Sequence, residues 1–246
     1  MRPLCVLLHG YPNNSTIWKE QLPLLEKRFD ILNLSLPGSE DGKVNQEELK
    51  LERLVALYKE KILSAGNEKI ILVGHDIGAF VLSEVSRALG EKVIARVYMG
   101  GMDFRLFSHR LKTSDQKFRS WYVALFQTPI LPELIIPRMK KLLSLKLYRD
   151  TPELLAEAPH GFTPVGIYRE LIAGIKRSRD EKGQISGRTL FLFGDRDPYI
   201  GAPLSEDIGK YYESAELKVL SGGHWFMRET PHKTNILLED FINRSV

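Results

Sequence analysis

Six short apolar runs constrain the fold of this 246-residue chain more than any other feature of its sequence. Each run is apolar almost throughout and is bounded by Gly, Pro or Asp, which is typical of parallel strands covered on both faces. Segments with helical spacing separate the runs, near 15–28, 45–64, 77–89, 200–212 and 229–243. This alternation predicts an α/β fold with a doubly wound, mostly parallel sheet. The expected strands are Leu4–Leu8, Ile31–Leu34, Lys69–Val73, Val93–Met99, Thr189–Phe193 and Ala215–Leu220.

One connection between strands is far longer than a crossover requires. Roughly 90 residues separate the fourth and fifth strands, where about a dozen would suffice. Apolar residues recur there at helical spacing, in Phe118–Phe126, Leu134–Leu147, Pro152–Ala158 and Val165–Lys176. We expect a core of residues 1–104 and 181–246, with residues 105–180 as a helical cap. Ligands of open α/β sheets bind at the C-terminal edge, so such a cap would enclose a site there.

Charge and composition exclude several classes of function. The 35 basic and 31 acidic residues give a net charge of only +4, and the densest basic groups, Arg138–Lys141 and Lys176–Arg179, lie in amphipathic stretches. No nucleic-acid partner is therefore expected. The N-terminal apolar run is too short for a signal peptide or a membrane span. A single cysteine, Cys5, lies in the first strand, so a reducing, cytoplasmic location is expected.

The strongest chemical signal is the segment Gly74-His75-Asp76-Ile77-Gly78, which follows the third strand and opens a helix. A sharp strand-to-helix turn strains its central residue and needs small residues two positions away on either side. It also presents the central side chain at a helix N-terminus, which favours an anion. A plain turn or N-cap aspartate is the alternative. The position after a buried strand favours Asp76 as a nucleophile.

A second turn, His9-Gly10-Tyr11-Pro12, follows the first strand. Gly10 allows the backbone to turn tightly, and the Tyr11–Pro12 bond is a candidate cis peptide. The N–H of Tyr11 would then point at the nucleophile, and the N–H of Ile77 would complete an oxyanion hole. A simple strand-ending turn is the alternative interpretation.

Two more strand ends supply an acid and a base. The fifth strand precedes Asp195 and Asp197, and the sixth precedes His224. The chain order nucleophile, acid, histidine is that of a catalytic triad, with His224 as general base and an aspartate holding its other ring nitrogen. Asp197 is the expected acid. Asp195, which can cap its own turn, and Asp103, after the fourth strand, remain alternatives.

With these motifs in place, the chain resembles the epoxide hydrolases of the α/β-hydrolase fold and their dehalogenase relatives. The resemblance covers essentially the whole chain and rests on His9–Pro12, Leu36–Gly38, Gly74–Ala79, Gly194–Pro198 and Gly222–Trp225. It implies that the aspartate attacks a saturated carbon to form an alkyl-enzyme ester, which water activated by the histidine then hydrolyses. No cofactor or metal is implied, since no His or Cys cluster has ligand spacing.

The resemblance also assigns residues of the cap. Trp121–Pro129 and Pro164–Arg169 are similar to the segments that carry the family's two tyrosines, so Tyr122 and Tyr168 would donate hydrogen bonds to the epoxide oxygen. The expected pocket residues are Pro12, Trp121, Phe126 and Trp225. Other apolar residues should make the pocket largely apolar, namely Phe104, Phe107, Leu125, Leu134 and Ile135. We therefore expect an aryl or medium-chain alkyl epoxide, with water, as the small-molecule partners.

Positions at which the chain departs from the family pattern help to choose between the rival functions. Ile77 stands where both branches commonly have Trp, and Tyr11 stands where dehalogenases often have Asn. These positions disfavour a haloalkane or haloacid dehalogenase. The chain also begins almost at its first strand, where relatives usually have two earlier strands, which predicts a smaller sheet or a late start. Another hydrolase on this scaffold and a non-catalytic ligand-binding protein are the remaining alternatives.

Overall fold

Six strands form one sheet at the centre of the computed structural model, which describes residues 2–245 apart from the side chain of Ser144. All five neighbouring pairs are parallel, and the spatial order is β2-β1-β3-β4-β5-β6. The strands are β1 (Leu4–Leu8), β2 (Asp30–Leu34), β3 (Ile70–His75), β4 (Val93–Met99), β5 (Ile185–Gly194) and β6 (Tyr212–Leu220). The predicted α/β fold with a parallel sheet is confirmed.

The helices alternate with the strands and cover both faces of the sheet. They are α1 (Leu22–Leu25), α2 (Leu51–Ser64), α3 (Ile77–Leu89), α4 (Phe104–Thr113), α5 (Gln116–Arg119), α6 (Trp121–Leu125), α7 (Leu131–Ile135), α8 (Lys140–Leu147), α9 (Glu153–Glu157), α10 (Tyr168–Arg177), α11 (Ser205–Gly209), α12 (Phe226–Glu229) and α13 (Pro231–Asn243). Short 3-10 turns lie at Ser15–Trp18, Gln46–Leu49, Gly90–Lys92, Val165–Ile167 and Ser178–Asp180. In residues 2–245, no helix has the length and apolar character that crossing a bilayer requires.

Several predicted boundaries are wrong, for identifiable reasons. The helix expected at Leu134–Leu147 is divided into α7 and α8 around Pro137, because proline lacks the N–H that a continuous helix needs. Of the helix expected at 200–212, only α11 forms, since Gly201, Pro203 and Gly209 interrupt the segment. The segment 15–28 likewise contains only a 3-10 turn and the four-residue α1.

The last two strands are longer than their apolar runs. β5 begins at Ile185 rather than Thr189, and β6 begins at Tyr212 rather than Ala215. The added residues are mostly exposed, and β6 is an edge strand with polar residues on its open side. In β5 the apolar run therefore identified only the buried part of the strand. In β6 the predicted segment is itself largely exposed, and the buried Tyr212 lies outside it.

Between β4 and β5 the chain is helical, from α4 to the 3-10 turn at 178–180, and no strand is found in this part of the described chain. We propose the division expected from the sequence, with residues 105–180 as the cap. Polar contacts join this segment to the core. The Tyr148 hydroxyl donates to the carbonyl oxygen of Pro12 at 2.7 Å, and Arg228 is paired with Glu157 at 2.7 Å.

Phe104 lies at the root of the cap, where it joins α4 to its neighbours. Its ring centroid is 5.3 Å from that of Phe80 in α3. On its other side it fills the space beside Gly174 of α10, where even a single added Cβ would collide with the ring. A large aromatic ring is thus enclosed between a core helix and a cap helix.

We predict that Phe104→Ala lowers the free energy of unfolding by about 3–5 kcal/mol, because it leaves a cavity between these helices. Phe118→Ala is the matched control, since that ring is 70% exposed and its removal should change stability little. Urea unfolding followed by circular dichroism measures both. An equal decrease in the free energy of unfolding in the two variants would show that Phe104 does not hold the cap to the core.

Candidate active site

Asp76 occupies a strained turn between β3 and α3. Its backbone angles are φ 50° and ψ −125°, a region that non-glycine residues rarely adopt. A Cβ at Gly78 would collide with the carbonyl oxygens of Leu8 and His9, and one at Gly74 would lie 2.6 Å from the Cα of Ala79. Both glycines are therefore required by close backbone packing, as the sequence pattern predicts.

Two backbone N–H groups hold one side of the Asp76 carboxylate. The N–H of Tyr11 donates to Oδ2 at 3.0 Å, and the N–H of Ile77 also donates to the carboxylate. The peptide bond between Tyr11 and Pro12 is cis. The structure thus brings together the two N–H groups that the sequence predicts for an oxyanion hole.

His224 lies between two carboxylates. Its Nδ1 is 2.7 Å from Oδ2 of Asp197, and its Nε2 is 3.7 Å from Oδ1 of Asp76. The other oxygen of Asp197 accepts hydrogen bonds from the N–H groups of Tyr199, at 2.8 Å, and Ile200, at 3.0 Å. Asp197 is therefore fixed at both oxygens and orients the ring so that Nε2 faces Asp76.

The two alternative acids lie elsewhere. Asp195 is about half exposed, and its carboxylate accepts from the N–H of Gly222 at 2.9 Å. Asp103 caps α4 by accepting from the N–H groups of Arg105, at 2.7 Å, and Leu106, at 3.1 Å, and it also binds the Tyr212 hydroxyl. Both carboxylates are engaged in local structure, so the geometry favours Asp197.

Burial and charge set the protonation of this group of side chains. Burial alone would lower the pKa of His224, but the Asp197 and Asp76 carboxylates outweigh it and hold that pKa above its ordinary value. Burial raises the pKa of Asp76, while the His224 charge and the two N–H groups oppose the rise. The ring is thus a stronger base than an isolated histidine and lies beside a carboxylate that is almost fully buried.

The two cap tyrosines face this group across a cavity. The ring centroids of Tyr122 and Tyr168 are 5.7 Å apart, and their hydroxyls share a hydrogen bond. Burial raises the pKa of each, and the Asp76 charge raises it further. Both hydroxyls therefore stay protonated and are available to donate hydrogen bonds.

A third tyrosine, Tyr199, was not expected from the sequence. Its ring centroid is 5.3 Å from that of His224 and 5.9 Å from that of Tyr122. Burial, followed by the charge of Asp197, raises its pKa to about 12. Its position two residues after Asp197 was the available signal, because residues near Asp197 in the chain follow the same strand end.

The cavity between core and cap has a volume of about 1170 Å³. The four predicted pocket residues all line it, as does Leu125; they are Pro12, Trp121, Phe126 and Trp225. The expectation for Phe104 and Phe107 was wrong, since both are buried against Phe80. It was also wrong for Leu134 and Ile135, which are exposed at the surface around α7 and do not line the cavity.

The site is built from Asp, His and Tyr side chains with backbone N–H groups. Within the described residues there is no group of three or more His, Cys, Asp or Glu side chains placed to hold a metal ion. The side chains of the site offer a carboxylate, an imidazole and phenolic hydrogen-bond donors.

Comparison with known proteins agrees with the fold. A family model described as the alpha/beta hydrolase family matches residues 5–235. Epoxide hydrolase 3 of Xenopus tropicalis is 25% identical over 98% of this chain and 71% of its own length. Epoxide hydrolase 3 of Mus musculus is 28% identical over 98% of this chain and 70% of its own. The crystal structure of an epoxide hydrolase from Bacillus megaterium with an inhibitor is similar in fold, with a TM-score of 0.80 at 20% identity over 99% of this chain and 94% of that one.

We predict that the pKa of the His224 ring lies above the ordinary value of 6.5. Asp197→Asn should lower this pKa, because the Asp197 charge then no longer opposes the lowering caused by burial. NMR of the ring protons measures this, with Asp195→Asn as the matched control. Since the folded pKa is raised, protonated His224 stabilises the fold below the unfolded pKa, and this contribution disappears as the pH rises through the folded pKa. An unshifted midpoint in Asp197→Asn would contradict the assigned pair.

Proposed function

The chain belongs to the alpha/beta hydrolase family, and on that premise we propose that it opens epoxides to vicinal diols through a covalent ester on Asp76. The observation that carries the proposal is a buried carboxylate on the strained turn that faces two protonated tyrosines, Tyr122 and Tyr168. The names of the curated relatives support the same substrate class.

In the first step, Oδ1 of Asp76 attacks an epoxide carbon while Oδ2 remains bound to the N–H of Tyr11. The carbon–oxygen bond of the strained ring breaks, and the ring oxygen takes a proton from the Tyr122 and Tyr168 pair. The product is an ester between Asp76 and the ring-opened substrate, together with a phenolate. A carboxylate suits this reaction because its ester can be cleaved by water, which regenerates the nucleophile.

In the second step, water attacks Cγ of the Asp76 ester and gives its proton to Nε2 of His224. The negative charge develops on Oδ2, where the N–H groups of Tyr11 and Ile77 stabilise it. The bond between Cγ and Oδ1 breaks, and the diol leaves with that oxygen. The diol oxygen takes up the proton of the new carboxyl group, and the imidazolium returns its proton to the phenolate.

The walls of the cavity favour an apolar substrate. Aromatic and aliphatic side chains line most of it, including Trp121, Leu125, Phe126 and Phe162. Such a lining gains free energy from burying hydrocarbon and offers few partners to a charged group. We propose aryl or medium-chain alkyl epoxides as substrates, and a preference for a carboxylated epoxide in competition assays would exclude this class.

Asp76→Ala is expected to lower diol formation by at least about 10⁴-fold, because the nucleophile is lost. Asp195→Ala is the matched control, since this carboxylate is half exposed and takes no part in the proposed reaction. The Asp195→Ala variant should retain activity. In heavy-oxygen water, a single turnover should place the label in Asp76 and leave the diol unlabelled, as mass spectrometry of the peptide would show. Label found directly in the diol would exclude the ester intermediate.

Tyr122→Phe combined with Tyr168→Phe is expected to lower kcat/KM for epoxides by about 10²–10⁴-fold, since no hydroxyl then protonates the ring oxygen. Each single variant should lose less, because the other hydroxyl still donates. Tyr58→Phe is the control for loss of a buried hydroxyl, because that group binds the Ser35 carbonyl oxygen away from the cavity. An active double variant would remove the tyrosines from the mechanism.

The same assays separate the rival functions. A dehalogenase would release halide from haloalkanes and would not depend on Tyr122 and Tyr168 for protonation of an oxygen. A non-catalytic binding protein would bind epoxides equally well after Asp76→Ala. Neither its wild type nor this variant would convert the epoxide to a diol. Only an epoxide hydrolase is expected to form a diol in a reaction that requires Asp76, Tyr122 and Tyr168.

A further inference from the structure

The outer surface of the cap exposes an unusual concentration of large apolar side chains. Ten of the fifteen such exposed side chains in the described part of the chain lie between residues 118 and 145. We call these ten the cap face: Phe118, Trp121, Leu125, Ile130, Leu131, Leu134, Ile135, Met139, Leu142 and Leu145. Exposed large apolar side chains concentrated in one segment point to an interaction site in a soluble domain.

The cap face borders the cavity. Half of its members also line the cavity, although each is at least half exposed; they are Phe118, Trp121, Leu125, Leu142 and Leu145. In α8 the leucines point both ways, since Leu143 and Leu147 pack towards the core while Leu142 and Leu145 are 64% and 74% exposed. A surface helix normally keeps its outer side polar, so this degree of exposure of two leucines is unusual.

Positive charge accompanies the apolar side chains. Residues 117–149 contain seven Lys or Arg and one acidic residue, Glu133, whereas the whole chain has 35 basic and 31 acidic residues. The rest of the chain is therefore net acidic, and the basic excess lies in the cap. Arg119, Lys146 and Arg149 line the cavity mouth together with the apolar side chains. Asp150, an acidic residue at the mouth, lies 3.6 Å from Arg149.

We propose that the cap face docks onto the surface of an anionic lipid bilayer. Apolar side chains of this size enter the boundary between headgroups and acyl chains, and neighbouring Lys and Arg side chains extend to the anionic headgroups. A second copy of this chain fits less well, because two cap faces brought together would place like charges against each other. Docking in this orientation turns the cavity mouth towards the bilayer.

The tryptophans provide a built-in probe of this docking. Of the three in the chain, Trp121 is 69% exposed, whereas Trp18 and Trp225 are 0% and 4% exposed. Vesicles of phosphatidylcholine with phosphatidylglycerol should shift the emission to the blue, and brominated acyl chains should quench it. Trp121→Phe should abolish both effects. Pure phosphatidylcholine vesicles should bind at least about tenfold more weakly, since headgroup attraction is missing.

A pair of leucine substitutions tests the apolar part of the surface. Leu142→Ser with Leu145→Ser should weaken vesicle flotation by about tenfold or more, because less apolar area enters the interface. Leu204→Ser with Ile236→Ser is the matched control, since those side chains are 57% and 52% exposed outside the cap. The control pair should float like the wild type.

A pair of charge reversals tests the electrostatic part. Lys140→Glu with Lys146→Glu should reduce binding to anionic vesicles by about tenfold or more, and high salt should reduce wild-type binding in the same way. Lys61→Glu with Lys233→Glu makes the same change in net charge on exposed residues outside the cap. That control should bind within about twofold of the wild type.

The proposal is overturned if anionic vesicles neither shift Trp121 emission nor retain the protein in flotation. It is also overturned if light scattering shows self-association that Leu142→Ser with Leu145→Ser abolishes while vesicles remain unbound, since the cap face would then join two copies. Docking does not depend on the chemistry at Asp76, so Asp76→Ala should float normally. Failure of docking and failure of epoxide hydrolysis are therefore distinguished by separate measurements.

Discussion

The buried carboxylate of Asp76 imposes most of the constraints on the surrounding structure. A carboxylate withdrawn from water is costly unless hydrogen bonds and opposite charge compensate it. Here the N–H groups of Tyr11 and Ile77, the N-terminus of α3 and the His224 ring share that role. The strained turn is possible only because Gly74 and Gly78 let backbone segments approach closely. Stability and reactivity thus depend on the same few contacts.

The cap also helps to position the loop that contains Asp197. Gln116 of α5 binds the loop that carries the acid, donating to the Tyr199 carbonyl oxygen at 2.7 Å and accepting from the N–H of Gly201 at 3.0 Å. Arg119 donates to the carbonyl oxygen of Asp197 at 2.6 Å. The position of Asp197, and through it that of His224, is therefore coupled to helices of the cap. A movement of α5 would therefore shift Asp197 and His224 as well as the cavity mouth.

The parts of the site that could be read from the sequence share a physical property. Asp76, Tyr11 and Ile77 belong to turns whose geometry is fixed by glycine, proline and an adjoining buried strand. Because parallel strands end at one edge of the sheet, residues that follow different strands are brought together without knowledge of the packing. His224 and Asp197 are near Asp76 for this reason. The sequence favoured Asp197 but left Asp195 and Asp103 as alternatives, and the hydrogen bonds of the folded chain also favour Asp197.

By itself, the sequence determined the parallel sheet, the strained turn at Asp76 and the long helical insertion, because these follow from hydrophobic period, glycine placement and chain order. Only the tertiary structure decided the orientation of side chains on the cap. Phe104 and Leu134 looked alike as apolar residues expected to line the pocket, yet one is enclosed against Phe80 and the other is exposed. Which face of a short helix is buried depends on the helices packed against it, and local sequence does not contain that information.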